Sequence, residues 1–290
     1  MKILAIIIDK ERPEEVEEAL NSIARQAQFL ISGGYGLDII VWHNTTKDNK
    51  GVAEPTNQIV NANKSDFLLL MDNDATLSEG FLEACFEIMD TNPKCAIVCG
   101  RVKQKRDDSI LTSKILNSVK EMYQEGDDQF FDVYGLSDPN KPSKVGVYAA
   151  TGCLVRTNAF LEAGGYDPKY FAYYCEAQLA AKLIQKGWEI WYQPKAVVYH
   201  KLTHKSRDLG LMLYLMIRNH YFFQIEYIPW RYAVPNCLKW FLWALLKGWR
   251  DPVNILRAYL DVLRALPKLL SNRDVTYDPY ILMGWKRWLR

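Results

Sequence analysis

Two hydrophobic periods alternate along the first two thirds of the chain. "KILAIIID" (2–9) is a nearly unbroken apolar run, as a strand covered on both faces requires. "PEEVEEALNSIARQ" (13–26) then has Pro13 at a helix start, acids in the first turn, and Val16, Leu20 and Ile23 at helical spacing. "LDIIVWHN" predicts a second strand, "EPTNQIVNAN" a short helix and "DFLLLMDND" a third strand. "SEGFLEACFEIMDTNP" predicts a helix capped by Ser78, and "CAIVCGRV" a fourth strand. Residues 103–146 are polar and irregular and read as loops with an edge hairpin. "VYAATGCLVRTNAFLEAGGYDP" returns to strand and helix, "CEAQLAAKLIQKGW" is an amphipathic helix ending at Gly187, and "EIWYQPKAVVYH" reads as two short strands ending in His200.

This rhythm predicts an α/β fold with a mostly parallel sheet and helices on both faces. Ligands of such sheets bind beyond the carboxyl ends of the strands. Asp9, the pair His43–Asn44, and Asp72 with Asp74 all fall at such ends.

The last third has a different pattern. "CLKWFLWALLKGW" is apolar nearly all round, and "DPVNILRAYLDVLRALPKLL" puts Val253, Leu256, Leu260, Leu263 and Leu270 on one stripe with Arg257, Arg264 and Lys268 on another. The net charge of +2 conceals an asymmetry: residues 201–290 hold 15 basic and 6 acidic residues and six of the nine tryptophans. Tryptophan beside lysine and arginine on an amphipathic helix suits a membrane interface. The acidic body argues against nucleic acid. The sequence therefore divides into a body at 1–205 and a helical, membrane-surface region at 206–290.

Composition adds bounds. An apolar fraction of 49% excludes a disordered chain. Six cysteines without CxxC spacing argue against a zinc site or disulfide framework and for a reducing compartment. The apolar run at the N-terminus is cut short by Asp9, too early for a signal peptide core, and no uninterrupted apolar run of about 18 residues predicts a membrane span. The expected location is cytoplasmic, peripheral on the membrane's cytoplasmic face. Oligomeric state is open, a homo-oligomer included.

Chemistry concentrates in "FLLLMDNDATL". Side chains alternate along a strand, so Asp72 and Asp74 point to one side, and two such carboxylates repel unless a cation lies between them. Hard oxygen ligands suit Mg²⁺ or Mn²⁺. A solvated turn would have the same spacing, so the motif is weak alone.

Its surroundings strengthen it. "IIIDKERPEEVEEALNSI", "DIIVWHN", "FLLLMDNDATLSEGFL", "ATGCLVRTNAFLEAGGYDPKYFAYYCEAQLAAKLIQKGWEIWYQPKAVVYH" and "MIRNHYFF" together resemble the family 2 glycosyltransferases of GT-A fold over about residues 1–220. The branch that includes bacterial rhamnosyltransferases and galactofuranosyltransferases is the most similar. The resemblance implies an inverting, metal-dependent transfer of a hexose or deoxyhexose from a nucleoside diphosphate sugar to an acceptor hydroxyl. It implies that Asp72 and Asp74, with His200, hold Mn²⁺ or Mg²⁺ and the diphosphate, with Asn73 between. The strand end from Ile8 through Asp9 to Glu11, with His43 and Asn44, then forms the base and ribose pocket. Thr151, Gly152 and Cys153 form the floor of the sugar sites, with Tyr173 and Tyr174 beside them, and Glu176 is the base. The charge and tryptophan asymmetry points to a lipid-linked glycan acceptor. Tyr170, Phe171, Tyr173 and Tyr174 are open to a core or a sugar-stacking role. "IRNH" (217–220) is open to a surface turn or a phosphate contact.

The sequence departs from the family pattern at Cys175 and Gln178, where acids are usual, and at His43, where aspartate is usual. These departures keep open a non-catalytic glycan-binding scaffold. A nucleotidyltransferase is a weaker alternative, since the N-terminus has no Gly-rich basic loop.

Overall fold

The computed structural model describes residues 1–104, 136, 138–201, 208–247 and 251–275. Its centre is an eight-stranded mixed sheet. Strand β1 (Lys2–Lys10) leads into helix α1 (Pro13–Ala24) and a short helix α2 (Ala27–Ser32). Then come β2 (Gly36–Asn44), α3 (Ala53–Ala62), β3 (Phe67–Asp72), β4 (Ala75–Leu77), α4 (Phe81–Met89) and β5 (Cys95–Gln104). After β6 (Ser143–Val145) follow β7 (Gly152–Arg156), α5 (Thr157–Glu162), a 3₁₀ turn (Pro168–Tyr170), α6 (Cys175–Gln185) and β8 (Glu189–His200). Helices α7 (Leu209–Tyr227), α8 (Trp230–Lys247) and α9 (Pro252–Ser271) complete the described chain.

The strand order is β2-β1-β3-β7-β5-β8-β4, with β6 on β8. Strand β1 runs parallel to β2 and β3, and β5 parallel to β8, while β7 is antiparallel between β3 and β5. Ile3 to Ile7 of β1 and Phe67 to Met71 of β3 are all buried. Successive strand residues face opposite sides, so both faces of the sheet are covered, as the unbroken apolar runs demand. Each such aliphatic side chain contributes roughly 1.5–3 kcal/mol on burial.

Two expectations are corrected. Residues 189–200 form one strand rather than two, because β8 absorbs "QPK" as a register shift against β5 between Gly100 and Arg101. Gly100 permits this, since a Cβ there would collide with the Ala196 carbonyl oxygen. Helix α4 starts after Gly80, in the left-handed region at φ 69°, and not at a Ser78 cap. The Ser78 carbonyl accepts from Phe81 N, and its hydroxyl is buried without a partner. Most of the expected 103–146 hairpin lies outside the described residues; β6 pairs antiparallel with β8.

Helix α7 joins body and C-terminal helices. Phe222, Phe223, Ile225 and Tyr227 enter the main core, whereas Tyr214, Leu215 and Ile217 pack with Trp240, Ala244 and Ala258. Among the described residues, no helix is long and apolar enough to cross a membrane.

Candidate active site

Register brings the strand ends together. Ile8 pairs with both Trp42 and Asp72, and Asp9 with His43. Met71 pairs with Gly152, so Thr151 lies alongside Asp72 one step further on. Ala75 pairs with His200, and Lys201 N donates to the Asp74 carbonyl at 2.9 Å. Ligand atoms of Asp72, Asp74 and His200 thereby fall within 4.8 Å of one another. His200 Nε2 lies 3.1 Å from Asp74 Oδ1 and 3.9 Å from Asp72 Oδ2. Asp74 and His200 are buried, while the Asp72 side chain is 44% exposed and faces the crevice. Two carboxylates and an imidazole are a donor set that suits Mn²⁺, and Mg²⁺ through the oxygens.

Arg12 is a site residue that the sequence reading missed. Its buried guanidinium donates from Nη1 to Asp74 Oδ2 at 3.2 Å and to Asn73 Oδ1 at 3.5 Å. An arginine just before a helix-starting proline carries no sign of burial; only the strand register brings it under Asp74. Removing one partner of such a buried pair typically costs about 3–5 kcal/mol.

Asp9 is a hub beneath this cluster. Its Oδ1 accepts from Asn73 Nδ2 at 2.8 Å and Arg12 N at 3.2 Å, and its Oδ2 lies 3.0 Å from His43 Nδ1. Asp9 is buried and the His43 side chain 66% exposed, so His43 presents its ring to the crevice from a fixed base. Asn44 is buried: it donates to the Gly51 carbonyl and accepts from Lys50 N and Trp42 Nε1, which fixes the loop after β2. Glu11, exposed and at φ 57°, accepts from Thr46 Oγ1 at 2.8 Å and Thr46 N at 3.2 Å. The Thr46 hydroxyl and then its amide hold the Glu11 carboxyl below its ordinary pKa. Ile8 is half-buried between them.

The opposite wall carries Glu176 in the first turn of α6. Burial pushes its pKa up to about 7; its own backbone amide pulls the other way, and Asp72 raises it further. A helix N-terminus favours an ionised carboxylate, but desolvation outweighs that dipole at Glu176. The influence of Asp72 means that the two walls share one electrostatic field. Cys153 lies below them, fully buried, its thiol raised by burial, then by Cys99, Cys85, Glu176 and Asp72. It packs and does not act as a nucleophile. Gly152 is required here, since a Cβ would stand 2.7 Å from Val198 Cγ2. Gln178 and Cys175, the departures from the family pattern, are buried, and Gln178 Oε1 accepts from Asp167 N. Glu176 is thus the one carboxylate of this block, and the Asp72 charge acts on it.

The segment before α6 is strained. Phe171 (φ 64°), Tyr173 (φ 63°) and Tyr174 (φ 64°) all have positive φ; Tyr174 is left-handed, and Phe171, at ψ −65°, centres a γ-turn closed by Ala172 N donating to the Tyr170 carbonyl at 2.7 Å. Each costs about 1–2 kcal/mol for a residue other than glycine. Tyr170 is fully buried, and Phe171, Tyr173 and Tyr174 half-buried. The Phe171 carbonyl accepts from Val52 and Ala53 at the start of α3. "IRNH" is not a surface turn: Asn219 and His220 are fully buried behind this segment, and Arg218 is half-buried. Burial lowers the His220 pKa to about 3, so the ring is neutral beside Tyr174 Oη at 2.9 Å.

The model of the "Glycosyltransferase like family 2" matches residues 6–221. N-acetylglucosaminyl-diphospho-decaprenol L-rhamnosyltransferase of Mycobacterium tuberculosis, in strains CDC 1551 and H37Rv, is 37% identical over 62 residues. That stretch is 21% of this chain and 20% of the relative, so the match spans about a fifth of the curated relatives' length. Among solved structures, GalNAc-T7 with UDP, GalNAc and Mn²⁺ superposes with a TM-score of 0.52 at 9% identity, covering 81% of this chain and 50% of that one. This likeness concerns the fold, which is GT-A. With three quarters of its length matched by the family model, the chain belongs to glycosyltransferase-like family 2.

Proposed function

We propose that the chain transfers a sugar, with inversion, from a nucleoside diphosphate sugar to a hydroxyl of a lipid-linked glycan. The observation that carries this reading is the Asp72–Asp74–His200 donor set together with a Glu176 carboxyl whose pKa burial, and then the Asp72 charge, raise to about 7. Asp72, Asp74 and His200 would hold Mn²⁺ or Mg²⁺, which when bound supplies positive charge to the departing diphosphate. His43, held by Asp9, and Glu11 with its Thr46 partner line the nucleotide side, and Asn44 shapes the loop that bounds it. Thr151 to Cys153 form the floor, with Tyr173 and Tyr174 on the acceptor side.

Glu176 takes the acceptor proton as that oxygen attacks the anomeric carbon. The bond to the diphosphate breaks with its electron pair staying on the leaving oxygen. A base with pKa about 7 is well matched to this transfer near neutral pH. The rhamnosyltransferase name of the curated relatives favours a deoxyhexose donor and a diphospholipid acceptor.

Residues 206–290 would seat the enzyme on the cytoplasmic face of the membrane. The stripe Val253, Leu256, Leu260, Leu263 and Leu270 is exposed along α9, as are Val234, Leu238, Leu242, Leu245 and Leu246 along α8. Arg257, Arg264 and Lys268 are exposed on the same helix as the first stripe, a composition that fits anionic headgroups.

Glu176→Gln tests the reading. Release of nucleoside diphosphate from UDP-, GDP- and dTDP-activated sugars should collapse while nucleotide binding persists. A scaffold would bind without turnover in either form.

A further inference from the structure

The crevice residues do not explain how the positive-φ segment ahead of α6 keeps its shape. The Tyr170, Ala172 and Tyr173 carbonyls turn to the rear, toward α7. Asn219 Nδ2 lies 2.8 Å from the Tyr170 oxygen, 2.8 Å from that of Ala172 and 2.9 Å from that of Tyr173. Two N–H groups thus serve three carbonyls in a segment that forms no regular ladder. Arg218 Nε donates to Asn219 Oδ1 at 2.9 Å, which fixes the amide with its nitrogen toward the loop. Arg218 Nη2 donates to the Lys169 carbonyl at 2.8 Å and reaches that of Tyr170 at 3.4 Å. From the front, Val52 N and Ala53 N hold the Phe171 carbonyl at 2.7 and 3.1 Å. A Cβ at Gly51 would strike that same carbonyl. The segment is clamped between α3 and α7, and Glu176 follows three residues after its last clamped carbonyl, that of Tyr173.

We propose that Arg218 and Asn219 are positioning residues for Glu176: they hold residues 170–174 in the positive-φ path that aims the first turn of α6 at the crevice. This rests on Glu176 being the base. Helical propensity alone would start α6 with these aromatic residues in ordinary backbone regions and swing Glu176 away. Buried carbonyls need donors, and Asn219 supplies them only in the observed path. The arginine is anchored in turn: its Nη1 donates to Tyr214 Oη at 3.1 Å, and Tyr214 donates to Asp261 Oδ2 on α9 at 2.6 Å.

The test uses the full chain with Asn219→Ala, Arg218→Lys and, as a control for lost packing in α7, Ile225→Ala. Peptide-level hydrogen exchange is read at 51–54 and 170–176, together with kcat and KM for nucleoside diphosphate release from UDP-, GDP- and dTDP-activated sugars. Asn219→Ala is expected to speed exchange in both peptides and to lower kcat at least tenfold, with KM for the sugar nucleotide within twofold. Ile225→Ala should lower Tm and leave both peptides and kcat unchanged. If Asn219→Ala does not fold, Arg218→Lys gives the same two readouts with charge retained. Unchanged exchange in the two peptides, or a kcat within twofold of the Ile225→Ala control, overturns the proposal. A fully active Glu176→Gln would instead sink the base reading, and the exchange data would still decide whether the clamp exists.

Discussion

Asp72, Asp74 and His200 stand at the ends of strands, and their places are fixed by sheet register and a buried ion pair with Arg12. Glu176, across the crevice, stands on a helix entered through three aromatic residues of positive φ, and its place depends on donors from α3 and α7. One wall is held by the most regular part of the fold, the other by one of its most strained. The strand wall should therefore tolerate surface change and fail when its own carboxylates or the buried Arg12 are altered. The loop wall should be sensitive to residues that never touch substrate.

The largest effect expected on the loop wall is that of Glu176→Gln, a fall in kcat of about 10²–10⁴-fold. Isothermal titration of nucleotide checks that binding survives. The strand wall separates into two cases. Asp74→Ala takes the carboxylate from the buried Arg12 guanidinium and should cost about 3–5 kcal/mol in denaturant unfolding. Asp72→Asn, at a half-exposed side chain, should leave the midpoint nearly unchanged yet abolish metal-dependent nucleotide binding.

A pH profile compares the walls in one experiment. The Glu176 pKa rises on folding to about 7 from its ordinary 4.5, so the folded state holds the proton more tightly. Stability from this group is fully present below pH 4.5 and is lost as pH rises through 7. Activity moves the other way, because the base must be ionised: kcat/KM should rise with pH to a limb near 7. Glu176→Gln should accordingly melt higher than wild type at pH 8 and much closer to it at pH 5. The smallest effect concerns the far helices. Leu256→Asp with Leu263→Asp, both exposed, should leave Tm in place and weaken flotation with anionic vesicles several-fold.

The unequal legibility of the two walls has the same origin. Unbroken apolar runs specify β1 and β3, and the strand-end rule then puts Asp9, His43 and Asp72 together. Arg12 was invisible because a charge beside a helix-starting proline reads as solvated, and only the fold buries it. The positive-φ path at 171–174 has no glycine to mark it; aromatic residues there are forced by tertiary donors that lie about 45 residues later in the chain. "IRNH" reads as a turn or a phosphate contact for the same reason: only the fold buries Asn219 and His220. The stripe Val253 to Leu270 was legible as amphipathic, and the structure leaves that apolar side uncovered by the rest of the described chain. Ser78 failed as a cap because left-handed Gly80 starts the helix two residues later.

The most direct test of the central claim is a thermal-shift panel of UDP, GDP and dTDP, each with Mn²⁺, Mg²⁺ or EDTA, on wild type and Asp72→Asn. The account predicts stabilisation by one nucleotide that requires a divalent cation and vanishes in Asp72→Asn, whose own Tm matches wild type without ligand. Stabilisation that persists in EDTA or in Asp72→Asn would contradict the metal-held diphosphate, and no stabilisation by any nucleotide would contradict the donor site itself.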